Sequence, residues 1–379
     1  MRKIDVFKNE FKNRDGIHFN NAAFSIVSTR VADTVTKLIN QQTKMGSLVD
    51  LEWIPAIKDA HGIVAECFGG NANQLAFTAN CATALSQVAF GLKLKKNESI
   101  VVLDQEYASN FYPWHEAAKR SEASLNVIHS DSIAEINHDA ILSKIVPGVK
   151  AVTLSWVQFQ TGAISDLKLI GEKCRSVGAY FIVDGIQAMG QLPISFNDLP
   201  IDCLVGGSHK WLCSMNGIGY LLIKEKLLNE LEPVLLGAAA YNRVGMTADL
   251  ECIIDSTAKR FEPGGVGYLP ALALAEATKL ITETTPEEIA TEIKLLSKNL
   301  REKLLNLPGI QLVTPFDQAG GITSIKITEN TEKKFIPLCR QHKIALSKRG
   351  ELVRFSLHAF NEEQEIDYVI DLLRKCSEA

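Results

Sequence analysis

Between residues 20 and 235, short apolar segments alternate with longer segments whose apolar residues recur every three or four positions. The short segments predict strands, and the periodic segments predict amphipathic helices between them. The predicted strands are Leu75–Thr78, Ile100–Asp104, Ala151–Ser155, Tyr180–Asp184, Cys203–Gly206 and Tyr220–Ile223. This alternation is typical of a doubly wound α/β fold with a mostly parallel sheet, in which ligands bind at the carboxyl ends of the strands. Asp104 and Asp184 both stand at such ends.

Two of the predicted helices have recognisable ends. The first is expected to start near Pro55 and to stop at Gly69, because proline suits a first helical turn and glycine suits the position after the last. The second is expected to be capped by Ser165 and ended by Gly178.

After about residue 250 the pattern changes. A glycine-rich turn at 263–267 precedes long helices near 271–283 and 286–306, short strands near 323–327 and 352–356, and a final helix containing Ile366 and Leu373. We therefore predict a large domain over residues 16–250. A smaller α+β domain would cover 251–379 together with the N-terminal residues 1–15.

Composition narrows the function. With 379 residues, a net charge of -4 and 22% charged residues, the chain shows no basic surface for nucleic acid. We expect no secretory signal, because no apolar stretch follows the first charged residues, and no membrane span, because no apolar run is long enough. The eight cysteines lack CxxC spacing and the histidines lack ligand spacing, so we expect a reduced, cytoplasmic protein without a metal site.

Two neighbouring segments carry the strongest chemical signal. A predicted strand of apolar, β-branched residues ends at Asp184. Lys210 lies in the run 206–212, which follows the next predicted strand. An amine and a carboxylate at adjacent strand ends suit pyridoxal phosphate (PLP), with Lys210 as its Schiff-base lysine and Asp184 paired with the pyridine nitrogen. Taken alone, this pair is also compatible with a buried ion pair in an ordinary sheet.

Three further segments fit the same ligand. A helix beginning near Ala82 would offer backbone N–H groups and the Thr83 hydroxyl to a phosphate. Tyr107 follows a strand and could stack on a flat ring, although its position is equally compatible with an aromatic residue of the core. Arg354 lies in a predicted alternating strand, and its guanidinium matches a carboxylate.

Together these blocks resemble the class V aminotransferase family, the fold type I PLP enzymes that include cysteine desulfurases and isopenicillin N epimerase-like proteins. The resemblance runs from Phe19 to Asp367. The blocks that carry it, in family order, are Asn20–Ala23, Ala82-Thr83, Glu106-Tyr107, Val183–Gln187, His209–Trp211, Arg260–Glu262, and Arg354 with Asn361.

The resemblance implies roles for individual residues. Lys210, Asp184 and Tyr107 would be catalytic. The implied cofactor-binding residues are Cys81, Ala82, Thr83, Tyr107, Gln158, Asp184, Gln187, Gly207, Ser208, His209, Lys210 and Gly265. Arg354 and Asn21 would bind the substrate, an amino acid. The family forms homodimers with active sites at the subunit interface, and we expect the same here, without a nucleic-acid or membrane partner.

Departures from the family pattern bear on the reaction. The stretch 342–354 contains no cysteine where desulfurases carry their nucleophile, and the nearest, Cys339, falls in a predicted helix. Tyr107 replaces the stacking histidine of desulfurases. Gly265 stands where many relatives have a threonine that reaches the partner's phosphate, and Gly207 stands where many have a serine.

Several functions stay open at this point. The leading one is an aminotransferase or C–S lyase that abstracts the α-proton of an amino acid. The alternative is an isopenicillin N epimerase-like epimerase, followed by a cysteine desulfurase and then a PLP-binding scaffold without catalysis. Candidate specificity residues lie in the ranges 21–25, 45–53 and 238–243.

Overall fold

The computed structural model describes residues 2–130, 132–242 and 251–378. The strands are β1 (Ile17–His18), β2 (Leu75–Thr78), β3 (Ser99–Leu103), β4 (Ser124–Ile128), β5 (Val149–Ser155), β6 (Tyr180–Asp184), β7 (Cys203–Gly207), β8 (Gly219–Ile223), β9 (Ile310–Leu312), β10 (Ile322–Ile327), β11 (Ile344–Ala345), β12 (Ser347–Arg349) and β13 (Leu352–Ser356).

The α-helices are α1 (Lys3–Asn9), α2 (Thr29–Met45), α3 (Asp50–Cys67), α4 (Cys81–Gly91), α5 (Ala108–Ser121), α6 (His138–Lys144), α7 (Leu167–Val177), α8 (Glu225–Leu228), α9 (Tyr268–Thr284), α10 (Pro286–Leu305), α11 (Glu329–Gln341) and α12 (Glu363–Glu378). No helix among the described residues is both long and apolar enough to cross a membrane.

A seven-stranded sheet forms the centre of the molecule, in the order β2-β8-β7-β6-β5-β3-β4. β8 runs antiparallel to both of its neighbours, and the other pairs are parallel. β6, β7 and β8 are buried along their whole length, as expected for strands covered on both faces. The predicted α/β fold with a mostly parallel sheet is therefore confirmed.

A second, antiparallel sheet has the order β12-β13-β10-β9. The helices α11 and α12 pack together beside it, and Phe335, Val353, Phe355 and Leu373 share one apolar cluster. The predicted domain division at residue 250 falls outside the described residues and stays a prediction. α9, which follows it, packs against α2 and α3.

Three local predictions need correction. α3 starts at Asp50, so Pro55 lies inside the helix. The earlier start is favoured because it buries Trp53 in one cluster with Leu38 and Val49. α7 is capped by Asp166, whose Oδ1 accepts from the Leu169 N–H at 2.9 Å.

Ser165, the predicted cap of α7, instead donates its hydroxyl to the Ser155 carbonyl at 2.9 Å. The strand around Arg354 is buried at all five positions rather than alternating, because the fold covers both of its faces.

Candidate active site

A cavity of about 260 Å³ lies at the carboxyl ends of β6 and β7. This is the edge at which the parallel topology predicts a ligand site. Its lining residues are Ala22, Ala23, Asn80, Cys81, Ala82, Tyr107, Ser109, Phe159, Asp184, Ile186, Gln187, His209, Lys210, Arg349 and Arg354.

Asp184 is the last residue of β6 and is 2% exposed. The Ile186 N–H donates to its Oδ1 at 2.9 Å, and the Cys81 thiol lies 3.5 Å from the same oxygen. No described residue forms a hydrogen bond with Oδ2. Burial raises the pKa of this carboxyl, while the Ile186 N–H and the Lys210 charge oppose that shift. One carboxylate oxygen is thus available to a cationic partner inside the cavity.

Lys210 follows the carboxyl end of β7 and reaches the same cavity. Burial lowers the pKa of its amine to about 8, and the charges of Arg354 and Arg349 act in the same direction. Asp184 and Cys81 oppose the shift. A substantial neutral fraction near pH 7 to 8 suits an amine that attacks a carbonyl or accepts a proton.

Tyr107 is the residue before α5, and its ring faces the amine across the cavity. The Lys210 Nζ lies 5.9 Å from the centre of the ring. The ring of Phe159 meets Tyr107 edge-on, with 5.1 Å between their centres. The tyrosine is about half exposed at 48%, so one face is available to a flat ligand.

Glu106 anchors the segment that carries Tyr107. Its buried carboxylate accepts from the Ser155 N–H at 2.8 Å, the Ser155 hydroxyl at 2.5 Å, the Asn110 amide at 2.8 Å and the Gln158 amide at 3.2 Å. Burial raises the pKa of Glu106, and the donors from Ser155 and Asn110 oppose this. The network fixes the start of α5 relative to β5.

The amino end of α4, which the sequence predicts to bind a phosphate, lies at the cavity. Cys81 and Ala82, the first residues of the helix, line the cavity. The Asn80 carboxamide oxygen caps the helix by accepting from the Thr83 N–H at 2.9 Å and the Thr83 hydroxyl at 3.1 Å. Thr83 itself lines a second cavity, of about 270 Å³, together with Gly265. Neither residue lines the cavity that contains Lys210.

His209 and Gln187, two of the predicted cofactor-binding residues, line the main cavity. Burial and the neighbouring Lys210 charge lower the pKa of His209 to about 4, so the imidazole is neutral near pH 7. The Gln187 side chain is held at both ends: its amide nitrogen donates to the Ala22 carbonyl at 3.0 Å, and its oxygen accepts from the Trp211 indole at 2.8 Å.

Four other predicted site residues do not line the cavity. Gly207 packs against Ile186, which lies 3.2 Å from where a Cβ would stand. Ser208 donates its hydroxyl to the carbonyls of Met215 and Ile218. Gln158 donates its amide to the Glu106 carboxylate.

Asn21 is the fourth of these residues. It is fully buried and holds the Ser356 carbonyl at 2.8 Å and the Ser25 hydroxyl at 2.6 Å. The structure therefore uses Asn21 to connect the segment after β1 to β13. Of the predicted specificity ranges, 21–25 reaches the cavity through Ala22 and Ala23. Arg243 lies outside the described residues.

Arg354 enters the cavity from β13 and is 1% exposed. Its Nη1 donates to the Phe159 carbonyl at 2.5 Å, and its Nη2 lies 3.5 Å from the Ser347 hydroxyl. The Nε is buried without a hydrogen-bond partner in the described structure. Burial and the charge of Arg349 lower the pKa of Arg354 to about 9. No described carboxylate forms a salt bridge with it.

Arg349 is a cavity residue that the sequence reasoning missed. It ends β12, and only Gly350 and Glu351 separate β12 from β13. The sequence signal is a second arginine five positions before Arg354. Its meaning depends on strand register, which a single sequence does not reveal.

Cys81 is the one cysteine among the described residues that lines the cavity. Burial and the Asp184 charge raise the pKa of its thiol. Cys339 lies in α11, as predicted, and belongs to the apolar cluster beside the small sheet. Burial raises the pKa of Cys339 to about 12. Both thiols are therefore poor nucleophiles.

The cavity fits PLP by the chemistry of its donors. A partly neutral amine, a carboxylate with an unused oxygen and an exposed aromatic face match the aldehyde, the pyridine nitrogen and the ring, respectively. The helix start at Cys81 and Ala82 suits the phosphate.

Comparison with known proteins agrees with this chemistry. The family model "Aminotransferase class-V" matches residues 17–369. A probable cysteine desulfurase of Pyrococcus abyssi is 25% identical, over 98% of this chain and 96% of the relative. The isopenicillin N epimerase of Streptomyces clavuligerus is 28% identical, over 85% of each.

A solved structure shares the fold. The apo cysteine desulfurase of Thermococcus onnurineus NA1 is 22% identical, with a TM-score of 0.90 over 100% of this chain and 99% of that one. The family match and the fold agree: the chain belongs to the class V aminotransferases, which are PLP-dependent enzymes of fold type I.

Proposed function

We propose that this protein binds an amino acid in the Lys210 cavity, abstracts its α-proton, and completes either a transamination or an elimination that breaks the substrate's C–S bond. The observation that carries the proposal is the cavity itself. It brings the amine of Lys210, the carboxylate of Asp184 and the guanidinium of Arg354 to one place. All three groups have pKa values displaced by burial, which is typical of functional sites.

When bound, PLP supplies an electron sink for the bonds at the α-carbon. Asp184 would keep the pyridine nitrogen protonated through its unused Oδ2. Tyr107 would cover one face of the ring. Lys210, whose amine has a pKa of about 8, would accept the α-proton in its neutral form. Arg354 would bind the substrate's α-carboxylate. Its Nε has no hydrogen-bond partner and its charge has no salt bridge among the described residues.

The hairpin geometry supports a reaction that uses no protein thiol. Desulfurase chemistry needs a thiolate that reaches the substrate's sulfur. The two-residue turn between β12 and β13 leaves no room for a longer loop. The cavity thiol, Cys81, lies against Asp184 with a raised pKa. We therefore propose that the desulfurase reaction of several relatives is absent here.

A second candidate is epimerisation. Tyr107 faces Lys210 across the cavity, so the amine and the phenol would lie on opposite sides of a substrate bound between them. One relative is an isopenicillin N epimerase. Epimerisation also begins with α-proton abstraction, and it differs in returning the proton to the other face.

We further propose a homodimer. Gly265 lines a cavity separate from that of Lys210, which fits a contact with the partner's site. Leu48, Leu51 and Ile54 also expose large apolar side chains around the start of α3, and such clusters are typical of subunit interfaces.

Proton exchange tests the proposal directly. The holoenzyme is incubated with a panel of amino acids in deuterated water, and loss of the α-proton signal is followed by NMR. Keto acid, sulfide and D-isomer are assayed in the same samples. We expect exchange with at least one amino acid, accompanied by keto acid or sulfide. Exchange with D-isomer as the sole product would favour the epimerase, and absence of exchange across the panel would refute the proposal.

The thiol question needs a separate measurement. The holoenzyme is incubated with cysteine without reductant, desalted, and its intact mass is measured. We expect an unchanged mass. A persulfide increment on one cysteine, with alanine formed in equal amount, would show a desulfurase.

A further inference from the structure

Two arginines lie on one face of the hairpin formed by β12 and β13. In the antiparallel register Ser347 is opposite Arg354, and Arg349 is opposite Leu352. Because side chains alternate along a strand, Arg349 and Ser347 share a face, and Arg354 faces the same way. Arg349 and Arg354 are thus diagonal neighbours, about 7–8 Å apart. Both line the Lys210 cavity.

No described acidic residue balances these two charges. Neither guanidinium forms a salt bridge, and the Nε of each is buried without a partner among the described residues. Lys348, between them in sequence, faces away from the cavity and pairs with Glu332. The hairpin therefore pairs its outward cation and leaves its two inward cations unpaired. Like charges this close repel, and a bound anion would relieve the repulsion.

We propose that Arg349 binds a second anionic group at the far end of the substrate, so the substrate is an α-amino acid with an acidic side chain. This inference rests on the proposed function, in which Arg354 binds the α-carboxylate. A carboxylate or a sulfinate would satisfy Arg349 equally, since both offer two oxygens to a guanidinium.

Charge matching favours a second acidic group over joint binding of one carboxylate. A substrate with a neutral side chain brings one carboxylate to two guanidinium groups and leaves one cation unbalanced in a partly buried cavity. Arg354 is deeply buried and held by the Phe159 carbonyl. Arg349 ends its strand and is partly exposed. The two therefore stand at different depths, as the two ends of an elongated dianion require.

The first test is binding without turnover. Calorimetry of the holoenzyme with succinate and glutarate, which lack an amino group, is compared with butyrate. We expect the dicarboxylates to bind at least 10-fold more tightly than butyrate. In Arg349→Gln this preference should disappear, and Arg349→Lys should restore part of it. Lys348→Gln removes the same charge one residue away on the other face, and it should keep the preference.

The second test uses α-proton exchange. Aspartate, glutamate and cysteine sulfinate are compared with asparagine, glutamine and alanine. We expect Arg349→Gln to raise the KM of the acidic substrates roughly 10- to 100-fold, as for the loss of a hydrogen bond to a charged group, and to change the KM of the neutral ones by a clearly smaller factor. The acidic amino acid with the lowest KM shows whether Arg349 prefers a carboxylate or a sulfinate.

The outcomes separate the two claims. Equal exchange of acidic and neutral amino acids, unchanged by Arg349→Gln, would overturn the inference and leave the proposed function standing. Absence of the dicarboxylate preference in the wild-type holoenzyme would also overturn it. Dicarboxylate binding that depends on Arg349, with no α-proton exchange on any amino acid, would overturn the proposed function and retain the anion subsite.

Discussion

The two ends of the active-site cavity differ in how their charges are arranged. At the edge of the large sheet, Lys210 and Asp184 are of opposite sign, and each moderates the pKa shift that burial imposes on the other. At the hairpin of the small sheet, Arg349 and Arg354 are of like sign, and each is without a described carboxylate partner. In our proposal, the Lys210 and Asp184 end holds the bound cofactor, whose cationic pyridine nitrogen pairs with the carboxylate. The arginine end binds the anionic groups of the substrate.

Removing the amine should have the largest effect. Lys210→Ala should abolish α-proton exchange and all product formation, because the proposed base and the covalent anchor are the same atom. Lys224→Ala is a matched control: its amine is partly buried, donates to the Leu199 carbonyl at 2.6 Å and also has a lowered pKa. Exchange that survives in Lys210→Ala would assign the base elsewhere.

Removing the Asp184 carboxylate should have the second-largest effect. Loss of one partner of a buried ion pair costs about 3–5 kcal/mol, so Asp184→Asn should weaken PLP binding roughly 100-fold or more. Asp202→Asn is the control, because Asp202 precedes β7 at the opposite edge of the sheet and accepts from the Phe181 N–H. Equal PLP affinities in the two variants, measured by titration of the absorbance, would contradict the role of Asp184.

Changing Arg354 should weaken substrate binding and leave cofactor binding unchanged. Arg354→Lys keeps the charge and loses the planar fork, so the KM of the best amino acid should rise roughly 10-fold or more. The PLP absorbance before substrate addition should stay unchanged. A KM within about twofold of wild type would remove Arg354 from substrate binding.

The smallest expected effect is a shift in pH dependence that couples the two ends. The Lys210 amine must be neutral to react, so the rate of PLP uptake by the apoprotein should rise with pH with a midpoint at about 8. Arg354→Gln removes a cation that lowers this pKa, so the midpoint should move to higher pH. Asp184→Asn removes an anion that raises it, so the midpoint should move to lower pH. Midpoints that coincide in all three proteins would show that the ends are independent.

Much of the large sheet could be predicted from the sequence. Each of the six predicted strands is present to within one or two residues, because a strand that is buried on both faces is a short apolar run with clear boundaries. β4 was missed because Ser124, Asn126 and an otherwise mixed composition weaken the apolar signal. The cap of α7 was misplaced because Ser165 and Asp166 are both good caps, and only the position of β5 decides between them.

The candidate site divides in the same way. Lys210, Asp184 and Tyr107 follow strand ends, so topology alone predicts that they converge. Arg349 and Asn80 were missed because their places depend on hairpin register and on the capping of α4. Asn21 and Ser208 are sequence neighbours of cavity residues, but the Asn21 amide nitrogen and the Ser208 hydroxyl donate to backbone carbonyls. Such competition between site and scaffold is visible only in three dimensions.

The central claim is that the amine at the large-sheet end holds the cofactor. Borohydride reduction of the holoenzyme, followed by proteolysis and mass spectrometry of the peptides, tests it most directly. The account predicts that reduced PLP is attached to Lys210 in the peptide containing His209 and Trp211. Attachment to a different lysine, or no covalent adduct in a protein that binds PLP and exchanges the α-proton, would contradict it.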